Sequence, residues 1–515
     1  MKDMKNGIQK DKKRIIGVDL DLPKKLYLLA ASVVVSLSLM VDLSPERFLG
    51  GSLIAFVLLF ILYRDIMRYK PSYIKNYNMF LLLGLMIIGT LLIGRFFGYL
   101  FENLLKGIGL VSPETAIYGI PVAAGAMFVA LLFDFHTAIT FSFTISLLTG
   151  YWLNDAYYPI YTFVGSLTAA FSVIRCKKRS AILRGGFYVA CVNVLLTLIL
   201  LLARGELFTY KAPYALIFAV FSGVIVSSIV SVLLPLIEYL FKISTDISLL
   251  ELLDLNQPLM KNLMINAPGT YHHSVIVGNL VEAAAETVGV NPLLARVSSY
   301  YHDVGKIKIP DYFVENQGGS ASRHDRLTPH MSSMIIINHV KEGVELARQF
   351  KIPEAIIDII TQHHGTSLIT YFYSKAKELN AGAAPDEADY KYPGPKPQTR
   401  VAALVMMADA VEAASRVLTD PTPARISALV DKITNHIFLD GQLDECELTF
   451  KDISEIKKKF TYILTGIFHK RIDYPGFDFG HGHTHKEHPK GDKAQPAEDY
   501  KGFKHVPPPV GVPHS

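Results

Sequence analysis

Long apolar runs fill the first half of the chain, whereas polar positions return at regular intervals in the second half. A membrane-spanning helix needs about 20 predominantly apolar residues. Eight stretches approach this requirement, at 25–41, 48–63, 80–101, 117–133, 136–153, 158–174, 182–203 and 214–241. The first two are short and separated only by Asp42–Arg47, which predicts a helical hairpin. The pattern predicts a polytopic transmembrane helical bundle over residues 25–242, with the first span as an uncleaved anchor.

From about residue 250 to 475, apolar residues recur every three or four positions, the spacing of amphipathic helices. The clearest segments are Val275–Ala285, Pro292–His302, Met331–Phe350, Pro353–His363 and Val401–Val417. Strand-like alternation is scarce, so we predict an all-α fold. It comprises a helical connector at 243–258 and a helical domain at 259–475, with a Gly/Pro/Asp-rich insertion at 380–396. Residues 476–515 lack apolar periodicity and are predicted to be a disordered tail.

Lysine and arginine are concentrated in alternate loops between the predicted spans. The basic N-terminal tail at 1–24 and the loops at 64–75 and 175–184 are rich in these residues, and the intervening loops are poor. Because cytoplasmic loops carry the excess of positive charge, we predict that the N-terminus and everything after Phe241 face the cytoplasm. No series of charges crosses the predicted spans, which argues against a transporter.

Overall composition excludes several other classes of protein. The net charge of +5 is small for 515 residues, and no basic stripe contains interleaved aromatic residues. The lipid bilayer is therefore a predicted partner and a nucleic-acid polymer is not. Cys176, Cys191 and Cys446 are far apart and include no C-x-x-C pair, so neither a disulfide framework nor a thiolate metal site is predicted.

Histidines and carboxylates lie on or beside several predicted apolar helices, and the first two precede one of these helices. They are His272, His273, His302, Asp303, His339, His363, His364 and Asp409. A single histidine at such a position is more often a hydrogen-bonded core residue, but recurrence on successive helices favours metal binding. Imidazole with carboxylate suits divalent Fe, Mn or Zn, and a bridging carboxylate allows two ions. Asp303 is the natural bridge, and the second adjacent pair, His363-His364, favours two metals over one.

The ordered motifs of the second half resemble the HD superfamily of metal-dependent phosphohydrolases. The signature stretch is Tyr301-His-Asp-Val-Gly-Lys306. More narrowly, the chain resembles the membrane-anchored seven-transmembrane HD family that hydrolyses cyclic di-AMP. The further matching stretches are 267–274, 312–317, 338–341, 362–366, 392–397, 408–416 and 440–444. The family usually has a large extracellular domain after the first span, where this chain has only Asp42–Arg47.

The resemblance implies a fold, a cofactor, a reaction and a set of site residues. It implies a transmembrane bundle in the bacterial cytoplasmic membrane, followed by a cytoplasmic all-helical HD domain. The implied metal ligands are His273, His302, Asp303, His339, His363, His364 and Asp409. The implied cofactors are two divalent metal ions, Fe or Mn, and the implied catalytic residues are Asp303 and Lys306, with Lys306 contacting a phosphate oxygen. The implied reaction is hydrolysis of cyclic di-AMP to linear pApA, whereas His272 is expected to be outside the ligand set.

Alternative functions stay open from the sequence alone. One is an HD hydrolase of another nucleotide, such as cyclic di-GMP or a (p)ppGpp-type alarmone, and another is a membrane receptor that binds nucleotide without turnover. The stretch Gln362–Thr366 lacks the Gly-Tyr-Pro element of relatives that cleave cyclic di-GMP, which favours cyclic di-AMP. The sequence is compatible with a homodimer. It also leaves open whether Arg416 contacts the substrate or pairs with Glu412. His324 and His330 are predicted to be solvated, and the histidines between 481 and 488 are predicted to bind metal only loosely.

Overall fold

The computed structural model describes residues 30–31, 34–35, 45–108, 113–174, 176, 178–318, 322–379 and 385–468. Within these ranges the chain is helical and has no strand, because its one β-type contact is an isolated bridge between Leu368 and Lys391. The predicted all-α fold is confirmed. The N-terminal tail, most of the stretch at 25–41, the tail after residue 468 and its histidines lie outside the described residues.

Eight α-helices and a 3₁₀ helix form the described part of the apolar half. They are α1 (Pro45–Tyr69), α2 (Pro71–Lys75), α3 (Tyr77–Ile108), the 3₁₀ helix Pro113–Gly119, α4 (Ala123–Leu132), α5 (Phe135–Leu153), α6 (Tyr158–Ser172), α7 (Ser180–Ala203) and α8 (Lys211–Phe241). Among the described residues, five segments are long and apolar enough to cross a membrane. They are Phe48–Tyr69, Tyr77–Asn103, Glu114–Leu132, Ser180–Ala203 and Lys211–Phe241. The chain is therefore a membrane protein.

Two further predicted spans are shorter or less apolar than these five. The stretches at 136–153 and 158–174 form α5 and α6, but α6 has only 15 residues. In α5, six Ser and Thr residues lower the mean hydropathy. Several of their hydroxyls donate to carbonyls of the same helix, as Thr144 does to Thr140 at 2.9 Å. The total of eight spans stays a prediction.

The stretch predicted as one span at 117–133 is interrupted in its first third. The 3₁₀ helix ends at Gly119, and α4 begins at Ala123. Pro121, which has no N–H to donate, lies in the gap. Tyr161 Oη donates to the Tyr118 carbonyl at 2.6 Å, and a second tyrosine hydroxyl donates to Ile117 at 3.0 Å. These bonds satisfy backbone carbonyls that have no water partner in a bilayer.

Glycines bring α7 and α8 into close backbone contact. A Cβ atom added at Gly223 would lie 2.4 Å from the Gly186 carbonyl oxygen and 2.5 Å from the Ala190 nitrogen. Only glycine allows this approach. Small residues that let backbones pack directly are a common basis of helix association in membranes.

The last apolar helix does not continue into the connector. It ends at Phe241 because Lys242 adopts the left-handed conformation, with φ 54°. The short helix α9 (Asp246–Leu252) then begins after Thr245, whose side chain accepts from the Ser248 N–H. The predicted connector is thus helical over only part of its length and is separated from the last span by a turn.

Helix α9 joins the two halves of the chain. Its Ile247 packs into the apolar core of the membrane half, whereas Leu249 packs into a core of the second half. Its Glu251 forms an ion pair with Arg179, which lies just before α7, at 2.7 Å. One turn of helix therefore contacts both parts.

Nine further α-helices follow among the residues described up to 468. They are α10 (Pro258–Asn266), α11 (Pro268–Val288), α12 (Pro292–Tyr301), α13 (Pro329–Gln349), α14 (Glu354–Gln362), α15 (Thr370–Leu379), α16 (Arg400–Ser415), α17 (Pro423–Leu439) and α18 (Phe450–Ile467). Helix α16 is central, since every residue from Val401 to Ala408 is buried. Helix α11 packs against α12, α16 and α18. A polar group on the inner face of α11 or α16 must therefore find its partners inside the domain.

Candidate metal centre

Three helices, and the residues that directly follow two others, supply all the side chains predicted as metal ligands. These side chains are His273 on α11, His302 and Asp303 directly after α12, His339 on α13, His363 and His364 directly after α14, and Asp409 on α16. They form two groups that share Asp303. Within each group the ligand atoms lie within 4.8 Å of one another. Group A contains Asp303, His339, His363 and His364, and group B contains His273, His302, Asp303 and Asp409.

The two carboxylate oxygens of Asp303 face different groups. Oδ1 lies 3.2 Å from Nε2 of His339 and 3.7 Å from Nε2 of His363. Oδ2 lies 3.3 Å from Nε2 of His302 and 3.7 Å from Nε2 of His273. The Asp303 side chain is 1% exposed, so it is held between the groups inside the domain. This is the arrangement of a carboxylate that can bridge two cations.

Hydrogen bonds to the backbone orient three of the histidines. Nδ1 of His302, His339 and His363 lies 2.7, 2.5 and 2.7 Å from the carbonyl oxygen of the residue three positions earlier. A carbonyl can only accept, so Nδ1 carries the proton in each ring. Nε2 is then the nitrogen of each ring that faces the centre. This is the usual way in which a protein fixes the tautomer of a metal-binding histidine.

His273 is held differently, by a residue that the sequence analysis did not assign to the site. Its Nδ1 lies 2.6 Å from Oε2 of Glu412, whose side chain is 2% exposed. The other oxygen of Glu412 accepts from Arg416 at 2.8 Å. Arg416 therefore pairs with Glu412, one of the two roles that the sequence left open. Glu412 follows Asp409 by three residues on the same helix face, which is the signal that could have identified it.

Several buried atoms at the centre have no hydrogen bond. They include Nε2 of His273, Nε2 of His302 and Oδ1 of Asp303. Leaving such atoms without a partner is costly, unless a further group joins them. Neutral imidazole nitrogens and carboxylate oxygens are suitable donors for a divalent transition-metal ion. The residues present thus fit the metal use that the HD resemblance implies.

The electrostatics of the two groups differ. In group B, burial opposes the imidazolium form of His302, but Asp303 and Asp409 outweigh burial and raise its pKa to about 10. In group A, burial lowers the pKa of His364 well below its usual value, and the neighbouring His363 adds to this. Group B therefore attracts positive charge strongly, whereas His363 and His364 of group A are neutral imidazoles, because burial also lowers the pKa of His363.

Lys306 lies beside the bridging carboxylate. Its Nζ is 2.6 Å from Oδ2 of Asp303 and 3.0 Å from Oε1 of Glu315, and it stands 5.0 Å from the centre of the Phe313 ring. Burial alone would lower the pKa of Lys306, but the two carboxylates raise it above its usual value. Lys306 is thus a fixed positive charge at the edge of the centre. Glu315 also accepts from the Thr270 hydroxyl at 3.0 Å.

A glycine allows the His-Asp turn to reach α13. A Cβ atom at Gly305 would lie 1.8 Å from the His339 carbonyl oxygen and 2.5 Å from the Gly343 nitrogen. The 3₁₀ turn Val304–Lys308 therefore packs directly on the backbone of the helix that carries His339. This contact explains why glycine separates the His-Asp pair from Lys306 in the motif.

An aromatic ring covers group A. Tyr392 stacks on His364, with ring centroids 4.2 Å apart and an interplanar angle of 23°. Tyr392 is 9% exposed, while the His364 side chain is 23% exposed. Tyr392 lies in one of the stretches that match the family, but its sequence context alone indicates no role for it. The ring restricts the imidazole on the more open side of the centre.

The remaining histidines lie outside the two groups. His272 is exposed, so the structure brings His273 and not His272 to the centre, as expected. Helix α11 begins at Pro268, so both residues lie inside the helix rather than before it. The prediction that His324 is solvated is wrong, because it is 7% exposed and its Nε2 donates to the Tyr312 carbonyl at 2.9 Å. His330 has a 48% exposed side chain.

Two families match this chain in succession. The family described as "7TM receptor with intracellular HD hydrolase" matches residues 46–245, and the HD domain family matches residues 270–414. Residues 246–269, which contain α9 and α10, separate the two matches, and the second match contains all seven residues of groups A and B. The order of the two matches is the order predicted from the pattern of apolar residues.

Named relatives extend the similarity across both regions. The chain is 41% identical to "Cyclic-di-AMP phosphodiesterase PgpH" of Bacillus subtilis strain 168, over 70% of this chain and 51% of that protein. It is 43% identical to the protein of the same name from Listeria monocytogenes strain 10403S, over 69% of this chain and 50% of that protein. The chain thus spans about half the length of these relatives.

A solved structure also shares sequence with the second half. It is the crystal structure of the L. monocytogenes phosphodiesterase PgpH HD domain in complex with cyclic-di-AMP. It is 50% identical and covers 42% of this chain and 100% of that chain, with a TM-score of 0.40. By its two successive family matches and its named relatives, the chain belongs to the family of seven-transmembrane proteins with an intracellular HD hydrolase domain.

Proposed function

We propose that this protein is a membrane-anchored, metal-dependent phosphodiesterase that hydrolyses cyclic di-AMP to linear pApA. The observation that carries the proposal is the pair of groups around Asp303, in which seven ligand-type side chains converge. A receptor that binds nucleotide without turnover has no need of this complete set. The names of the two relatives support cyclic di-AMP over cyclic di-GMP or an alarmone as substrate.

The proposed cofactors are two divalent ions, Fe or Mn, one in each group. The mixture of imidazole and carboxylate ligands favours these metals over Mg²⁺ and Ca²⁺, which prefer oxygen. When bound, two such ions lower the pKa of a water molecule and neutralise charge on a phosphodiester. The protein's part is to hold seven side chains in place, chiefly through the hydrogen bonds at Nδ1 of the histidines.

The exposure of the ligands indicates the side from which substrate approaches. His302 and His363 have fully buried side chains, whereas His364 and Asp409 are 23% and 13% exposed. We therefore place the phosphodiester on the His364 and Asp409 side. Lys306 then contributes a positive charge near a non-bridging phosphate oxygen. Its pairing with Asp303 keeps the ammonium group within reach of the centre.

Turnover by the full-length protein in detergent tests the proposal. Purified protein is incubated with Mn²⁺ or Fe²⁺ and, in separate reactions, with cyclic di-AMP, cyclic di-GMP and ppGpp. Wild type should convert cyclic di-AMP to pApA, and Asp303→Asn should not. Intact cyclic di-AMP with wild type would refute the hydrolase function. Faster loss of another nucleotide would refute the substrate assignment.

The histidine pair in α11 offers a matched control. His273→Ala should abolish activity, because it removes a group B ligand. His272→Ala changes the adjacent, exposed residue and should leave activity unchanged. Equal loss in both variants would show that damage to the helix, and not removal of a ligand, explains the result.

The proposed orientation places the N-terminus and the HD domain in the cytoplasm. It rests on the distribution of Lys and Arg among the loops. Single cysteines introduced at Phe208, which is 96% exposed, and at Leu439, which is 81% exposed, test it in intact cells. A membrane-impermeant maleimide should label position 208 only, and labelling of position 439 would reverse the orientation.

A further inference from the structure

One histidine of the metal centre, His273, is supported differently from three of the others. Nδ1 of His302, His339 and His363 meets a backbone carbonyl, whereas Nδ1 of His273 meets the Glu412 carboxylate at 2.6 Å. A backbone carbonyl only orients an imidazole. A carboxylate also polarises its N–H bond, and so makes Nε2 a stronger electron donor to a cation.

The support of His273 is itself fixed in place. Glu412 is 2% exposed and presents Oε2 to the imidazole, while Oε1 accepts from Arg416 at 2.8 Å. The two residues lie four apart on α16, so the helix sets their separation. Arg416 is partly exposed, with 39% of its side chain accessible. The carboxylate is therefore buried on its His273 side and anchored from the surface.

Formal charge adds to the difference between the two groups. Group A has three imidazoles and shares one carboxylate, Asp303. Group B has two imidazoles, shares Asp303 and adds Asp409, with Oδ1 of Asp409 lying 2.9 Å from Nε2 of His273. Glu412 places a third carboxylate behind group B, and Arg416 offsets part of its charge from the outer side. A divalent cation is stabilised more by this surrounding than by neutral imidazoles.

We infer that Glu412 is a positioning residue that sets the affinity of the metal ion held by His273, His302 and Asp409, and has little effect on the ion held by His339, His363 and His364. This inference rests on the two-ion centre of the proposed function. It assigns unequal affinities to the two ions, with the group B ion more tightly held. Glu412 does not itself contact the ion or the substrate, because its nearer oxygen is directed to Nδ1.

A purely structural role for Glu412 has a different consequence. If the carboxylate served only to join α16 to α11, its removal would loosen both helices and weaken both metal ions together. If the carboxylate acts through His273, its removal should weaken the binding of the group B ion only. Glu412→Gln separates these cases, since the amide oxygen still accepts from Nδ1 while the charge is lost.

The test measures metal binding by full-length protein in detergent, first stripped of metal with a chelator. Mn²⁺ is titrated in, and the free ion is followed by its electron paramagnetic resonance signal, which bound Mn²⁺ does not give. Wild type should bind two ions per chain in two affinity classes. Glu412→Gln should weaken the tighter class by about 10–100-fold, the usual effect of removing an outer hydrogen-bond partner, and leave the weaker class within about twofold.

Three further variants complete the design. His339→Ala should weaken the other class and so confirm which group each class reports. Glu282→Gln makes the same chemical change on α11, at a residue that pairs with Arg296 away from the centre, and should alter neither class. If Glu412→Gln does not fold, Glu412→Asp keeps the charge with a shorter reach and should weaken the same class by a smaller factor.

The outcomes separate the inference from the proposed function. Unchanged binding in both classes, or equal weakening of both, in Glu412→Gln or its Asp counterpart overturns the role of Glu412. Failure of wild type to bind two ions overturns the two-ion centre instead. Selective weakening of the tighter class supports the inference, whatever substrate the enzyme hydrolyses.

Discussion

Substitution of Gly305 by alanine tests how closely the metal centre depends on backbone packing. The added Cβ would lie 1.8 Å from the His339 carbonyl oxygen, and real Cβ contacts under 3.0 Å are essentially never found. The obstacle is main chain, so no side-chain rotation can relieve it. The turn that follows Asp303 and helix α13 must therefore separate by about 1.2 Å.

That displacement is large compared with the tolerance of the site. Metal–ligand distances hold to within about 0.2 Å, and Asp303 is only 3.2 Å from Nε2 of His339. Gly305→Ala should therefore lose the group A ion. A shift of about 1 Å commonly costs about 100-fold in rate, so activity should fall at least that far. Overpacking should also lower the free energy of unfolding by about 1–3 kcal/mol.

Three measurements on the purified variant check this expectation: Mn²⁺ stoichiometry, cyclic di-AMP turnover and thermal unfolding. Gly466→Ala is the matched control, because nothing lies within 4 Å of a Cβ at this position in α18. There the change should stabilise the helix by about 0.5–1 kcal/mol and leave turnover unchanged. Wild-type metal content and activity in Gly305→Ala would refute the close-packing argument.

Three other changes have outcomes that follow from the same structure. Removing metal with a chelator should lower the midpoint temperature of unfolding, because an ion at about 100 times its dissociation constant raises the free energy of unfolding by about 2.7 kcal/mol. An unchanged midpoint in differential scanning fluorimetry would contradict this. Metal affinity should rise by about tenfold per pH unit between about pH 6 and 9, because the pKa of His302 is raised to about 10 and its proton must leave before the ion binds. An affinity for Mn²⁺ that does not change with pH would show that no proton competes with the ion. Gly223→Leu should prevent α7 and α8 from packing and so abolish the monodisperse peak in size-exclusion chromatography. Gly50→Leu should retain the peak, because the space around a Cβ atom at Gly50 is open.

The sequence predicted the identity of the ligands better than the manner in which they are held. Histidines and aspartates on otherwise apolar helices are visible in a sequence because burial makes them costly there. Glu412 was not recognised because its partner His273 is 139 positions away along the chain. Tyr392 was missed for a similar reason, since stacking on His364 is a tertiary contact without a local pattern.

The positions of helices were predicted more reliably than their interruptions. Apolar periodicity indicated the helices that became α11 to α14 and α16. It did not indicate that the stretch at 117–133 is broken near Pro121, or that Lys242 ends the last apolar helix. Both interruptions depend on tertiary contacts or on one left-handed residue, neither of which changes hydropathy. His324 was expected in solvent because its neighbours in sequence are polar, yet its ring packs on Tyr312.

Two polar contacts of the short helix α9 show how much such contacts can transmit between the two halves of the protein. Its Glu251 pairs with Arg179 on the membrane side, and its Leu252 carbonyl accepts from the hydroxyl of Tyr301, the residue before His302, at 2.8 Å. An exposed ion pair contributes up to about 1 kcal/mol and a hydrogen bond about 1 kcal/mol. A signal that broke both would change an equilibrium at the centre by about 30-fold at most, since about 1.4 kcal/mol corresponds to a factor of ten. These contacts are suited to graded adjustment of turnover and are too weak to act as an on–off switch.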